Sequence, residues 1–331
     1  METHIHPSRL HVEKSAIKNH FPDFAEHVAE GLSSTPKKLS PMYLYDKCGS
    51  ILFEKICDLP EYYLTRTEHS ILDKYAGEIA AFSNGDMALI ELGSGSSTKT
   101  RLIIEALIAH QNDLHYIPVD ISETILVTSA KELLDDYPDL KITAHVAEYH
   151  TAIKHISKLP IEQKIVVFLG SNLGNFEPGA ADNFLRKIRS WLNKDDYMLL
   201  STDMQKDSNI LEAAYNDKQG ITAAFNMNIL KRMNRELDAD FDLDRFSHLA
   251  FYNSAVGRVE IHLRSKIDQQ VYIGELDQAF DFKKGETIHT ENSYKFTKGQ
   301  IAQLCHDNGF RWTRQWTDEQ AHFSVNLLSA A

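Results

Sequence analysis

Short apolar runs alternate with amphipathic stretches through the middle of the chain, between residues 87 and 203. The apolar runs predict buried strands, and the stretches between them carry apolar residues at the three- and four-residue spacing of helices. In order, the predicted strands are MALIE, HYIPVD, ITAHVAE, KIVVFLGS and YMLLSTD. Continuous apolar strands separated by helices are typical of a parallel sheet with both faces covered. The pattern therefore predicts a doubly wound α/β domain.

This alternation of predicted strands and helices ends after residue 203. Residues 204–290 contain a long helical section, an acidic connector (DADFDLD) and alternating strands such as GRVEIHLRS, which indicate an inserted α+β region. The C-terminus then returns to a helix, TKGQIAQLCHDNG, and two strands. We expect the first 65 residues to pack with the insertion. The predicted domains are residues 68–203 with 295–331, and residues 10–67 with 204–294.

Composition narrows the class of protein. The chain has 331 residues, 43% of them hydrophobic, and a net charge of −12 with scattered basic residues, so we expect no nucleic-acid partner. It has no apolar leader and no apolar run of about 20 residues, so we expect a cytoplasmic protein without a membrane span. Its three cysteines, at positions 48, 57 and 305, lack metal or disulfide spacing and are expected to be reduced thiols.

The segment ELGSGSSTK, residues 91–99, follows the first strand and precedes a helix. Its glycines allow a ligand to approach the backbone, and the helix N-terminus offers free N–H groups. The third glycine of a dinucleotide-binding turn is absent, because Thr98 stands there. Asp120 and Glu148 end the next two strands, where carboxylates can meet a ribose and an adenine. The alternative is a tight turn without a ligand.

Two further segments carry polar groups suited to a substrate. FLGSNLGN, residues 168–175, leaves the fourth strand at the edge where ligands of such sheets bind, and Asn175 could face a substrate there; a plain turn is the alternative. In IHTENSYKF, residues 288–296, strand periodicity puts Glu291 and Ser293 on one face. Two hydrogen-bonding side chains there could bind a small polar ring.

Histidine occurs sixteen times, and His145, His150 and His155 lie close to Glu148 in the sequence. No HExxH spacing is present, and a strand does not place these side chains as one helix face would. We therefore expect no metal site.

Taken together, YDKCGSILFEKICDLPEYYLTRTE, ELGSGSSTKT, YIPVDIS, FLGSNLGN, AAYNDKQGITAAFN, NRELDADFDLD and TENSYKF resemble the histidine Nα-methyltransferase family of the ergothioneine pathway. The resemblance covers nearly the whole chain. It implies a Rossmann-like class I methyltransferase domain with a separate substrate-binding domain, in a monomer. It also implies S-adenosylmethionine-dependent trimethylation of the α-amine of L-histidine to hercynine.

The resemblance also assigns site residues. It implies cofactor contacts from Gly93, Lys99, Asp120 and Glu148. Asn175 and Tyr215 match residues that hold the substrate carboxylate, and Gly170 matches a backbone carbonyl near the α-amine. The groups around the imidazole are matched by Tyr62, Thr222, Phe225, Glu291 and Ser293.

Methyl transfer from a sulfonium is an in-line displacement that needs no covalent enzyme intermediate, so we expect positioning by Gly170 and Asn175 and no dedicated catalytic base. Two alternative functions remain open. One is methylation of another aromatic amino acid such as tryptophan, which Glu291 disfavours because an indole has a single N–H. The other is a non-catalytic cofactor-binding regulator.

Overall fold

The computed structural model describes residues 9–14 and 24–331, which form two compact units. The first unit contains residues 9–14, 66–204 and 296–331. The second contains residues 24–65 and 205–295. Within these described ranges, no helix combines the length and the apolar composition needed to cross a membrane.

The elements are numbered in chain order. The helices are α1 (Phe24–Ser33), α2 (Lys47–Cys57), α3 (Tyr63–Ala80), α4 (Thr100–Gln111), α5 (Glu123–Asp136), α6 (Tyr149–Ile156), α7 (Pro178–Trp191), α8 (Ser208–Tyr215), α9 (Ile221–Glu236) and α10 (Lys298–Asp307). The strands are β1 (Leu10–Lys14), β2 (Lys37–Lys38), β3 (Met87–Leu92), β4 (Leu114–Asp120), β5 (Leu140–Val146), β6 (Gln163–Phe168), β7 (Tyr197–Asp203), β8 (Phe246–Asn253), β9 (Arg258–Ser265), β10 (Gln269–Ile273), β11 (Gln278–Phe282), β12 (Thr287–Tyr294), β13 (Phe310–Thr317) and β14 (Phe323–Ala330).

Eight strands form one sheet in the first unit, in the order β1-β5-β4-β3-β6-β7-β14-β13. The strands from β1 to β7 in this order run parallel. Strand β14 runs antiparallel to β7, and β13 pairs antiparallel with β14 at the end of the sheet. Every residue of the central strands β3 and β6 is buried, as expected for a sheet covered on both faces. The predicted Rossmann-like α/β sheet is confirmed. Its parallel strands end along one edge, where ligands of such sheets bind.

The position of β1 corrects the predicted domain boundaries. We expected residues 10–67 to pack with the insertion, but Leu10–Lys14 pairs in parallel with β5 at the edge of the first unit's sheet. The Arg9 guanidinium reinforces this pairing by donating to the carbonyls of Leu134 and Tyr137. The partner strand lies about 130 residues away in the chain, so local periodicity did not reveal this pairing.

Two helical segments also differ from the sequence pattern. A short helix, α6, follows β5 and was not predicted. The helical section predicted after residue 204 is divided into α8 and α9, and Gly220 precedes α9 with a φ of +73°. A left-handed residue interrupts a right-handed helix, and glycine adopts that conformation without strain.

The second unit contains a four-stranded sheet in the order β2-β12-β9-β8, and α9 packs against β8 and β9. Strand β12 pairs antiparallel with β9 and parallel with β2. A separate hairpin is formed by β10 and β11. Phe241, Phe246 and Phe282 pack together in the core of this unit, with ring centroids 5.4 to 6.2 Å apart.

A β-bulge at Thr290 decides which side chains of β12 share the face of Ile288. Before the bulge Ile288 pairs with the buried Leu263, and after it Glu291 pairs with Ile261, two positions along the same face of β9. One extra residue in β12 therefore moves the odd-numbered side chains onto the face that Ile288 occupies. Without the bulge, Glu291 would lie on the opposite face.

A buried polar network holds the bulge. The Thr290 hydroxyl, which is fully buried, donates to the Asn226 side-chain oxygen at 2.8 Å and lies 3.1 Å from the carbonyl oxygen of Ile261. The Asn226 amide nitrogen in turn donates to the carbonyl of His262 at 2.9 Å. Helix α9 and strands β9 and β12 are thereby joined at the residue next to Glu291.

We expect Thr290→Val to lower the free energy of unfolding by about 1 to 3 kcal/mol, because the Asn226 oxygen would remain buried without its donor. Urea denaturation would measure this change in the free energy of unfolding. Thr287→Val, in the same strand, is the matched control, because the Thr287 hydroxyl has no hydrogen-bond partner among the described residues. Equal stability of the two variants would contradict a role for Thr290 in holding the bulge.

Candidate active site

The turn after β3 requires glycine. Gly93 has a φ of +77° and Gly95 a φ of +49°. The Gly93 N–H donates to the carbonyl of Val119 at 2.8 Å, which closes the turn against β4. A Cβ at position 93 would lie 2.8 Å from the Tyr149 hydroxyl oxygen. The backbone conformation and this close approach both exclude a side chain there.

Glu91 holds the same turn in place through hydrogen bonds. Its carboxylate is 3% exposed and accepts hydrogen bonds from the hydroxyls of Thr100 and Tyr116. The Tyr116 hydroxyl also lies 2.9 Å from the Ser97 hydroxyl. Burial raises the pKa of Glu91 to about 7, against the effect of these hydrogen bonds. Glu91 therefore ties the turn to α4 and β4.

Asp120, at the end of β4, lies beside this turn. One carboxylate oxygen accepts the Gly95 N–H at 2.9 Å, and the other accepts the Ser122 N–H at 2.8 Å. Burial raises the pKa of Asp120, and the hydrogen bonds from Ser122 and Gly95 oppose that effect. Each carboxylate oxygen has two lone pairs, so both can accept a further hydrogen bond. Asp120 thus keeps the capacity to accept two ribose hydroxyls.

Glu148 reaches the same sheet edge from β5. It lies two residues after the strand, at the N-cap position of α6. The N–H of Ala147 donates to the carbonyl of Asp120 at 3.1 Å, which holds the ends of β4 and β5 together. The structure therefore collects Gly93, Asp120 and Glu148 along one edge of the sheet.

Lys99 and Gly170 share a partner that sequence analysis did not identify. Glu68, on α3, is fully buried and pairs with the Lys99 ammonium group. The Gly170 N–H donates to both Glu68 oxygens, at 2.9 and 3.1 Å. One carboxylate therefore fixes the cofactor turn and the loop after β6. Glu68 lies in the TRTE segment of the family resemblance, but only the fold shows its partners.

The loop after β6 carries Asn175 at the carboxyl edge, as predicted. Asn175 ends a short 3₁₀ helix, Asn172–Asn175. The Ser171 hydroxyl accepts the Asp203 N–H at 2.8 Å, and the Ser171 N–H donates to the Ser201 hydroxyl at 3.1 Å. Strand β7 thereby holds the loop that positions Asn175.

In the second unit, three polar groups form a closed triangle. The Tyr215 hydroxyl lies 2.8 Å from the Ser293 hydroxyl, and the Lys295 ammonium donates to both, at 2.9 and 2.8 Å. Lys295 is 1% exposed, so its charge is solvated by protein groups rather than by bulk water. We call this set the Lys295 triangle. Alternation after Glu291 and Ser293 predicts Lys295 on the same face, a signal that sequence analysis overlooked.

Glu291 lies next to the triangle on β12. Burial raises the pKa of its carboxyl to about 7, although the nearby Lys295 ammonium lowers it. Burial also raises the pKa of the Tyr62 phenol, with further contributions from neighbours that include Tyr215 and Glu291. A carboxylate, an ammonium and two phenols therefore share one buried region.

Aromatic rings enclose this region. The Tyr62 ring lies 6.1 Å from Tyr215 and 6.5 Å from Phe53. Phe225, on α9, packs 6.0 Å from Phe53 and 5.3 Å from Tyr45.

Thr222 begins the same helix and is 5% exposed; its N–H donates to the Asp217 carboxylate at 2.8 Å. The second unit thus contains six of the predicted substrate residues: Tyr62, Tyr215, Thr222, Phe225, Glu291 and Ser293. Gly170 and Asn175 belong to the first unit.

We expect Gly93→Ala to weaken binding of S-adenosylhomocysteine at least tenfold, because the added Cβ would meet the Tyr149 hydroxyl and strain a residue with positive φ. Isothermal titration calorimetry would measure the affinity. Gly77→Ala, in α3 with open space around the added carbon, is the control and should bind normally. Normal affinity of the Gly93→Ala variant would show that this turn is not part of the cofactor site.

Comparison with known proteins agrees with this geometry. A family model described as histidine-specific methyltransferase, SAM-dependent, matches residues 24–330. Histidine N-alpha-methyltransferase of Mycolicibacterium smegmatis is 40% identical over 301 residues, which cover 91% of this chain and 92% of that protein. Histidine N-alpha-methyltransferase of Mycobacterium tuberculosis is 39% identical over 322 residues, covering 95% and 99%.

A third relative, ergothioneine biosynthesis protein 1 of Schizosaccharomyces pombe, is 28% identical over 301 residues. The match covers 88% of this chain and 39% of that protein. The predictions of a methyltransferase fold, an enzyme and S-adenosylmethionine as cofactor are confirmed. The chain belongs to the family of S-adenosylmethionine-dependent, histidine-specific methyltransferases.

Proposed function

We propose that the protein transfers three methyl groups to the α-amine of L-histidine and forms hercynine, the first step of ergothioneine biosynthesis. The observation that carries the substrate assignment is the pair formed by the half-buried Glu291 and the buried Ser293, on one face of β12 beside the Lys295 triangle. The names of the two bacterial relatives, histidine N-alpha-methyltransferase, support the reaction.

The first unit fits the cofactor. Gly93 leaves a backbone surface without a side chain, and Asp120 keeps free acceptor positions beside it. We assign the ribose to Asp120 and the adenine to Glu148, with Gly93 and Lys99 shaping the turn between them. When bound, S-adenosylmethionine supplies a methyl group on a positively charged sulfur.

Glu291 and Ser293 are assigned to the imidazole. An ionised carboxylate only accepts hydrogen bonds, whereas a serine hydroxyl donates or accepts. Glu291 therefore binds one ring N–H, and Ser293 serves the other ring nitrogen. Tyr62, Thr222 and Phe225 are assigned to the walls around the ring.

Counting donors in the Lys295 triangle gives the charge of the ring. Lys295 donates to both hydroxyl oxygens, and only one proton can lie between Tyr215 and Ser293. If Tyr215 donates to the substrate carboxylate, Ser293 must donate to Tyr215 and can only accept from the ring. With Glu291 ionised and accepting as well, the bound ring carries two N–H groups and is an imidazolium.

Positioning supplies the remaining chemistry. The α-amine has an ordinary pKa near ~8, so a neutral fraction with a free lone pair exists at neutral pH. The Gly170 carbonyl and Asn175 are assigned to orient this nitrogen for in-line attack, and Glu68 fixes Gly170 through its N–H. No residue is assigned as a general base.

We further propose that the protein is a cytoplasmic monomer. Its cysteines, Cys48, Cys57 and Cys305, form no disulfide, which suits a reducing compartment. Light scattering coupled to size-exclusion chromatography would test the assembly, and a dimer mass would overturn the monomer.

The proposed reaction is tested by incubating the purified protein with S-adenosylmethionine and all twenty amino acids, followed by mass spectrometry. Histidine should gain three methyl groups and the other amino acids none. Methylated tryptophan or tyrosine would overturn the substrate assignment but keep the cofactor site. The absence of any product would overturn the proposed reaction.

We expect Glu291→Gln to be more stable than the native protein at pH 8 by about 2 to 3 kcal/mol. The pKa of Glu291 rises from 4.5 to about 7 on folding, so stability falls as pH rises through this range, and the amide removes that penalty. Denaturation at pH 8 and pH 4 would measure the difference, which should vanish at pH 4. Glu275→Gln, an exposed residue of the same unit, is the control. A less stable Glu291→Gln at pH 8 would contradict the desolvation argument.

Histidine analogues should take up a proton when they bind. At pH 8 both Glu291, with a pKa of about 7, and a free imidazole, near ~6.5, are mostly deprotonated. Imidazolepropionate, which lacks the amine, should therefore bind with uptake of about one proton if the ring becomes an imidazolium. Calorimetry in buffers of different ionisation enthalpy measures this number, and zero uptake would indicate a neutral ring.

Lys295→Met should weaken histidine binding roughly tenfold or more, because charge-assisted hydrogen bonds contribute about 1.5 to 3 kcal/mol and both hydroxyls would lose their shared donor. Titration in the presence of S-adenosylhomocysteine would measure this affinity. Binding of S-adenosylhomocysteine itself should be unchanged, which also checks folding. Lys284→Met, an exposed lysine of the same unit, is the control. A native histidine affinity in Lys295→Met would exclude the triangle from substrate binding.

A further inference from the structure

We propose that the first unit holds a divalent transition-metal ion of the Zn²⁺ type through Glu13, His145 and His155, a site separate from the methyltransferase chemistry. Each of these residues offers one ligand atom, and the three atoms lie within 4.8 Å of one another. The prediction of no metal site took account of His145 and His155 but not of Glu13, which is distant in the sequence and reaches them through the β1–β5 pairing.

The fold assembles this cluster from distant parts of the chain. Glu13 and His145 are direct neighbours across the β1–β5 pairing. Strand β5 then leads into α6, whose last turn brings His155 over the same part of the sheet. Without the β1 pairing, Glu13 would have no fixed place beside the histidines.

The geometry of His145 points to an ion rather than to a hydrogen bond. Its Nδ1 lies 3.3 Å from a Glu13 carboxylate oxygen. Neither ring nitrogen has a hydrogen-bond partner among the described residues, although the side chain is only 1% exposed. Buried polar nitrogens nearly always have a partner, so this ring requires one. Two ligands of a tetrahedral ion with bonds of about 2.0 to 2.1 Å lie roughly 3.3 Å apart, with their lone pairs directed at the ion.

The donor set suits such an ion chemically. Two imidazoles and one carboxylate are common ligands of Zn²⁺ and leave a fourth position for water. His155 is exposed and Glu13 is 36% exposed, so an ion can enter from solvent.

Other groups near the cluster complete its surroundings. The His11 ring lies 3.5 Å from the second Glu13 oxygen. The His115 ring bonds the Thr143 hydroxyl at 2.9 Å and is thereby oriented away from ligation through that nitrogen. His11 can support the carboxylate as an outer partner, a role that commonly orients metal ligands.

Binding of an ion here would affect the cofactor edge. Glu148 begins α6 and lies between His145 and His155 in the chain. An ion that ties β1, β5 and α6 together would restrict the turn that presents Glu148. If Glu148 contacts adenine, as proposed above, metal and cofactor should then increase each other's affinity by the same factor.

The test uses the untagged full chain, stripped with a chelator. Co²⁺ should bind with the visible absorption of a tetrahedral site, and Zn²⁺ should displace it at one equivalent per chain. Both His155→Ala and Glu13→Gln should weaken Zn²⁺ binding at least tenfold, whereas His306→Ala, an exposed histidine beside Asp307, should not. Because both altered residues are solvent-accessible, these variants are expected to fold.

Two further readouts separate a built site from surface binding. Zn²⁺ should raise the thermal midpoint of the native protein but not of Glu13→Gln. Affinities that are equal in all variants, or an octahedral Co²⁺ spectrum, would overturn the proposal, and so would the absence of metal binding. Failure of the methyltransferase assay would leave these results unaffected, because none of them measures turnover.

Discussion

Buried carboxylates need hydrogen-bond donors, and this requirement shapes the candidate residues within each unit. In the first unit, Glu91 takes its donors from Thr100 and Tyr116, and Glu68 takes them from Lys99 and the Gly170 N–H. An unpaired buried charge would destabilise the fold by several kcal/mol, so these partners cannot separate without loss of structure. The turn after β3 and the loop after β6 are therefore held by the buried carboxylates of Glu91 and Glu68.

The second unit follows the same rule. Lys295 donates to the hydroxyls of Tyr215 and Ser293, and burial raises the pKa of Glu291 to about 7, as it does for Glu91 in the first unit. Glu68 pairs with the Lys99 ammonium group. A cationic ligand beside Glu291 would stabilise the ionised form of that carboxyl. A perturbed carboxyl of this kind is typical of binding and catalytic sites.

The local sequence pattern predicted those features of the fold that depend on residues close together in the chain. The strands from β3 to β7, the loop that carries Asn175 and the common face of Glu291 and Ser293 all follow from apolar periodicity and from the shared direction of parallel strands. The local pattern could not predict contacts between residues that are far apart in the sequence. The β1–β5 contact, the bulge at Thr290 and the partners of Glu68 each join residues distant in sequence, and one-residue register differences decide them. Lys295 was missed for another reason, because alternation alone places it on the face of Ser293 but the pattern was followed only as far as Ser293.

Selectivity among aromatic amino acids follows from the same electrostatics. In the proposed complex, the imidazolium gives one N–H to Glu291 and one to Ser293, so both acceptors are satisfied. An indole has one N–H and a phenyl ring has none. Either ring would offer Glu291 and Ser293 fewer N–H donors than the imidazolium does, and sites built to hydrogen-bond a ligand group reject ligands that lack it by large factors. The aromatic wall of Tyr62 and Phe225 would accept all three rings by shape. In the proposed complex, discrimination therefore depends on the hydrogen bonds that the ring makes to β12, and the bulge at Thr290 is the feature that puts Glu291 and Ser293 on the face of Ile288.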